Sequence, residues 1–362
     1  HKVPGGITDA IPTDGGCYKI YIGKVLTKST TGRINVVINN SEYTIETVSE
    51  RGFPDKSLLT LSWSDITRTL TITPIGGEYR YYQVGEKHTV SEVRNFQITD
   101  VEGSHFIYYD HDVLYALVNG TQSQVENLIR NYVPLAYIYW NATDKVAVSK
   151  GVEWHWSKGY GVENHIKDHS TEGARYADGL ALTNIIVAGN GSLASHAQFG
   201  SQSGTIYDED IKHSIPAMVS TVGATKILYR NASLYPRSIT NTGYSVATTG
   251  TGRLAYSPVT GGLLECPDNT YVWYHVFAFG SIGSTDSIVT YMGTNYFSST
   301  TNAYNGLLTD VVNVQTLGLP TPEFKLIASV LFQTRNTYTN AVNARIVAVS
   351  YTHLTLPTIL LV

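Results

Sequence analysis

Apolar and polar residues alternate with a period of two over several short stretches of this chain. Leu59, Leu61 and Trp63 are separated by Thr60 and Ser62, and Leu70 and Ile72 by Thr71. That spacing predicts strands with one buried and one wet face. Similar runs, CYKIYIGKVL, RINVVIN and EYTIETV, fill residues 17–48, each bounded by Gly, Asn or Ser. GEYRYYQVGEKHTV reads as a hairpin turning near Val84 and Gly85.

The chain is organised around Asn95 to Lys145. Ile98 leads through a turn at Glu102 and Gly103 into HFIYY. Residues 119–132 change period: Val125, Leu128, Ile129 and Tyr132 fall at helical spacing, with Asn119 or Thr121 as the cap and Pro134 as the stop. Leu135 to Trp140 is a nearly continuous apolar run, the mark of a strand buried on both faces. Beyond residue 216 the β vocabulary returns in TKILYR, YVWYHVFAF, DSIVTYMG, FKLIASVLFQT and ARIVAV, with a second short helix expected at 298–313. No repeat recurs at a fixed period, which argues against a solenoid or propeller.

The predicted fold is therefore all-β, mainly antiparallel sandwiches or small β-domains, with one or two short helices. The expected organisation is an N-terminal β segment over 1–50, a central β domain over 51–215 holding the helix and a His/Trp-rich region, a C-terminal β domain over 216–349, and a tail at 350–362. Composition agrees. Charged residues are 15% of the chain, against roughly 25% in ordinary proteins, while 26 tyrosines and 32 glycines suit pleated surfaces and tight turns. The net charge of −4 with no basic face argues against nucleic-acid binding. No apolar run reaches the ~18–20 residues that span a bilayer, so membrane insertion is not expected. Cys17 and Cys266 are too few to staple the fold and read as separate thiols, with a single disulfide as the alternative.

Candidate chemistry concentrates in residues 151–215, which hold His155, His165, His169, His196 and His213. His165 and His169 are four apart and would share a helix face, with His155 or Glu153 as a third metal ligand. No cofactor is expected: these read as surface or hydrogen-bonded histidines, with a structural divalent metal that pins the loops as the alternative. The intervening Ile166, Lys167 and Asp168 do not make HExxH, so a zinc protease is not supported. Trp154, Trp156 and Tyr160, set among glycines, have the aromatic faces that stack on sugar rings, and equally suit a core or a subunit interface. Asp208, Glu209 and Asp210 read as a solvated turn, because neighbours on a strand point to opposite faces and cannot act as a carboxylate pair. No catalytic motif is present: there is no GxSxG, P-loop or GxGxxG after a strand.

Three separated blocks, FQITDVEGSHFIYYD (Phe96 to Asp110), AYIYWNATDK (Ala136 to Lys145) and LPTPEFKLIASVLFQT with NAVNARIV (Leu319 to Val347), resemble virion structural proteins of tailed bacteriophages, of the tail-fibre-like kind common in environmental phage sequences. The resemblance spans roughly 50–347. It implies a non-enzymatic virion component of a tail fibre or appendage, acting in assembly and host-surface adhesion. The partners it implies are other virion proteins, a host-surface glycan and copies of itself in a homotrimer. A tailspike polysaccharide depolymerase and a head decoration or minor capsid protein are the alternatives. The tail SYTHLTLPTILLV resembles translated sequencing-adapter sequence, and a missing upstream segment is expected before His1.

Overall fold

The computed structural model describes residues 25–28, 34–36, 50–156, 162–167, 169, 173–219, 224–283, 286–316 and 323–351. The chain divides into two units, 1–47 and 48–362. In the first, strands β1 (Val25–Lys28) and β2 (Ile34–Val36) pair antiparallel. The strand expected at 42–48, and Cys17, lie outside the described residues.

The second unit opens with β3 (Leu59–Ser64), β4 (Thr69–Pro74), β5 (Tyr79–Gln83), β6 (Glu86–Val90) and β7 (Arg94–Gln97). β3, β4 and β7 form one small antiparallel sheet; β5 and β6 form a hairpin. Its loop is Val84 (φ 50°) and Gly85 (φ 86°). Two successive positive-φ residues are what the twist-compatible two-residue turn requires. Next come β8 (Gly103–Asp110), β9 (Val113–Val118), helix α1 (Gln122–Asn131), β10 (Val133–Asn141) and β11 (Val146–Val152). The four strands order as β11-β10-β8-β9, all antiparallel. β10 is an inner strand, and its residues are buried almost throughout, which explains an apolar run without alternation. Thr121 caps α1 through a capping box with Gln124, so the cap is Thr121 and not Asn119. Asn119 instead holds the β8 end: its side chain accepts from Ser104 N–H and donates to the Glu102 carbonyl.

The short helix α2 (Val162–Lys167) follows, then β12 (Arg175–Gly179), β13 (Leu182–Thr183), β14 (Gly200–Ser201), β15 (Gly204–Asp208) and β16 (Ile211–Ile215). β12-β15-β16 is a three-stranded antiparallel sheet. The remainder is β17 (Ala224–Arg230), β18 (Pro236–Thr242), β19 (Thr248–Thr249), β20 (Arg253–Tyr256), β21 (Leu264–Glu265), β22 (Thr270–Ala278), β23 (Ile288–Phe297), α3 (Thr300–Gln315), β24 (Lys325–Thr334) and β25 (Ala344–Tyr351). Six of these make the largest sheet, in the order β18-β17-β23-β22-β24-β25. Its pairs are antiparallel except β17 with β23, which run parallel. The fold is thus all-β with short helices, as the patterning predicts. β25 continues through Ser350 and Tyr351, opposite Ser329 and Ala328; residues 352–362 are outside the described set.

One core cluster lies under the N-terminal strands around Phe53, Tyr79, Tyr81, Tyr109 and Trp140. A larger one lies against the six-stranded sheet, around Phe199, Tyr274, Met292 and Phe332. Fully burying a side chain such as Phe332 stabilises by roughly 1.5–3 kcal/mol. A third cluster joins Tyr137, Tyr139 and Val148 to Leu228, Phe277, Val289 and Phe324. It draws on residues from both sides of position 215, and residues 48–362 cluster as one compact unit. Cys266 is a buried free thiol, and burial pushes its pKa up. Among the described residues no helix is long and apolar enough to cross a membrane.

Candidate functional site

After β11 the chain makes a tight turn in which His155 N–H donates to the Glu153 carbonyl at 2.9 Å. Glu153 N–H in turn donates to the Leu135 carbonyl. The turn separates two sets of side chains. Glu153 and His155 point into the protein, with Glu153 2% and His155 5% exposed. Trp154 packs against the N-terminal core, and Trp156 meets the Tyr82 ring edge-on at 5.5 Å. The two tryptophans therefore serve different contacts and do not form one flat platform. Tyr160 lies outside the described residues.

Three further segments converge on Glu153 and His155. α2 brings His165, and His169 follows it. The β15–β16 turn brings Asp208, Glu209 and Asp210. Glu323 comes from just before β24. The cluster contains two triads of ligand-type atoms, each triad lying within 4.8 Å: His155, His165 and Glu209, and Glu153, His169 and Glu323. In the first, Glu209 Oε2 is 3.7 Å from His155 Nδ1 and 3.5 Å from His165 Nδ1. In the second, His169 Nδ1 is 3.2 Å from Glu323 Oε1 and 4.0 Å from Glu153 Oε2. The triads adjoin where His155 Nε2 lies 3.9 Å from Glu153 Oε2.

The histidines singled out in the sequence are thus brought together, but not around one point. His165 joins His155, and His169 joins Glu153. The i, i+4 spacing places both rings on one side of the segment, 6.2 Å apart between centroids, each facing different carboxylates. The solvated-turn reading is overturned for Asp208 and Glu209, while Asp210 stays exposed in the turn. Asp208 is 6% exposed and the Glu209 side chain 4%. Alternation fails there because Glu209 and Asp210 form the loop between paired Asp208 and Ile211, and Glu209 has φ +49°. A non-glycine residue rarely adopts that conformation; here it turns the carboxylate inward. Asp210 is fixed by three partners: Nδ1 of His155 at 3.0 Å, Trp156 N–H at 3.0 Å, and the Lys56 ammonium.

Burial and charge act on these groups in opposite directions. Burial alone would depress His155, but Glu209, with Asp210 and Asp208, carries it up to about 9. Burial and the neighbouring imidazoles hold His165 well below its ordinary value. Burial, then His155, brings His169 down to about 4. Burial likewise takes His213 down to about 4, helped by His155 and Lys56. Glu153 and Glu323 are raised well above the usual carboxylate range, first by burial, then by Asp208 for Glu153 and by Glu153 and Asp208 for Glu323. The cluster opens on a cavity of about 10 Å³ whose lining includes Arg51, Tyr132, Pro134, His155 and His165. That is room for about one water molecule or ion.

Glu209, Asp210 and Glu323 were not legible as site residues. Only the isolated acidic run between two apolar stretches hinted at the first two, and Glu323 sits in a Pro-flanked loop with no motif. A second constellation also escaped the sequence. His275 on β22 lies with Nδ1 2.8 Å from Ser329 Oγ and Nε2 3.1 Å from Asp310 Oδ2. Asp310 also accepts Thr294 N–H at 2.7 Å and the Thr294 hydroxyl. Ser, His and Asp in hydrogen-bonded series suggest a hydrolytic triad, but their exposures are 1%, 0% and 2%. The series lies inside the largest sheet and its α3 cover, where it satisfies buried polar groups.

Comparison of the chain with family models, with curated proteins and with solved structures finds no match.

Proposed function

We propose that this chain is a structural component of a tailed-phage virion, from the tail fibre or a related appendage, working by assembly and adhesion. The observation that carries this reading is where the reactive side chains lie. The histidine–carboxylate cluster and the Ser329–His275–Asp310 series are both interior, and the cavity beside the first is about the size of one water molecule. Substrate pockets are typically hundreds of Å³. Buried polar clusters of this kind tie segments together. The sequence blocks that resemble virion proteins coincide with load-carrying parts of the fold: β8, β10 and β24 are inner strands of their sheets.

Immuno-electron microscopy of phage particles, with antibodies raised against residues 50–351, tests the proposal. Label on tails or appendages supports it. Label on heads favours the decoration-protein alternative, and label absent from particles defeats the reading.

A further inference from the structure

We infer that the buried cluster is a two-ion metal centre: one divalent first-row transition ion held by His155, His165 and Glu209, and a second by Glu153, His169 and Glu323. The inference is independent of the virion reading.

Donor spacing is the first support. Nitrogen and oxygen ligands at ~2.0–2.2 Å from a tetrahedral ion stand roughly 3.3–3.6 Å from each other. In each triad one donor atom per residue lies within 4.8 Å of the other two, and His169 Nδ1 stands 3.2 and 4.0 Å from the two carboxylates of its triad. Most separations within the triads exceed a good hydrogen bond, yet these groups are drawn together inside the protein.

Orientation is the second. Asp210 engages His155 at Nδ1, and the opposite nitrogen, Nε2, has no hydrogen-bond partner among the described residues; nor does Nε2 of His165. Both residues are 5% exposed. A carboxylate on one ring nitrogen, with the other left open, is how metal-binding imidazoles are oriented.

Charge is the third. Glu153, Asp208, Glu209 and Glu323 are interior carboxylates. Lys56 is committed to Asp210. Two dications would match these carboxylates in the ionised form that ligation requires. Mixed imidazole and carboxylate donors suit zinc, manganese or iron over calcium or copper(I). The ions would clip together the segment after β11, α2, the β15–β16 turn and the approach to β24.

The test uses the full chain, purified from zinc-supplemented medium without chelator and analysed for metal after gel filtration. Two zinc ions per chain are expected in the wild type and about one in His165→Gln or Glu323→Gln. Chelator-stripped wild type refilled with Co²⁺ should show the visible absorption of nitrogen-ligated cobalt, and zinc should raise its melting temperature. Wild-type protein that retains no ion or one ion, or that shows no histidine-dependent cobalt spectrum, overturns the inference. The wild-type measurements stand even where a variant folds poorly.

Discussion

Arg237 grips Glu102 with both terminal guanidinium nitrogens, at 2.8 and 3.2 Å. The pair joins β18 of the six-stranded sheet to the turn before β8. Arg237 is 5% exposed, and Glu102 also accepts Ala142 N–H. Removing one partner of a buried pair leaves an uncompensated charge, at a typical cost of about 3–5 kcal/mol. Glu102 is partly exposed, so about 3 kcal/mol is expected for Arg237→Ala. The double substitution Arg237→Met with Glu102→Leu should recover most of it. Urea midpoints of Arg237→Met, Glu102→Leu and the double measure the coupling.

Acid sensitivity should trace partly to Asp286, which contacts Lys226 at 3.2 Å and Lys150 at 3.1 Å. Burial tends to raise its pKa, but the two ammonium groups win and the folded value lies below 3.8. A depressed folded value means stability that is fully present above the unfolded value of 3.8 and lost as the pH falls through the folded one. Asp286→Asn should therefore destabilise at pH 7 and narrow the gap to wild type as pH drops below 3.8. Chemical denaturation at pH 7, 5 and 3 checks the sign; a gap that widens at low pH contradicts it.

Asp310 accepts two hydrogen bonds from Thr294 and faces His275, all inside the protein. Asp310→Ala leaves several buried groups unpaired, each costing about 1–3 kcal/mol, so a loss of about 3 kcal/mol or more is expected. Ser329 should stay unlabelled by a serine-directed fluorophosphonate in the folded protein. Labelling that requires His275 would reverse this assignment and revive an enzymatic reading.

Gly52 has φ +82°, and a Cβ there would fall 1.7 Å from the His155 carbonyl oxygen. The same residue bonds in both directions to Tyr82, while Phe53 N–H donates to that His155 carbonyl. Backbone cannot yield as a side-chain tip can. Gly52→Ala should cost about 3 kcal/mol or more, with near-ultraviolet circular dichroism showing altered packing around Trp154 and Trp156.

Local chemistry was the readable part of this molecule. Val84–Gly85 marked its hairpin because positive φ favours glycine at the turn. Val125, Leu128, Ile129 and Tyr132 marked the helix through their spacing, while the capping box with Gln124 decides for Thr121 over Asn119 as its cap. The apolar run from Leu135 to Trp140 announced an inner strand. What stayed hidden depended on distant segments meeting. Glu209 turns inward through a backbone conformation that its residue type does not advertise. Glu323 meets His169, far from it in sequence, only in the folded chain. Trp154, suited equally to sugar and to core, was claimed by the core on the far side of the turn that directs His155 inward.

The order of the largest sheet also governs how the molecule is made. β17 lies beside β23, and β22 lies between β23 and β24, so no strand that emerges early from the ribosome finds both neighbours waiting. Pairings so distant along the chain form slowly. Glu323 emerges later than the other five ligand residues of the cluster. A nascent chain must therefore shield a half-built sheet and a set of open histidine and carboxylate arms until synthesis is nearly done, and a premature stop before Glu323 would release a sticky fragment in place of a smaller working one.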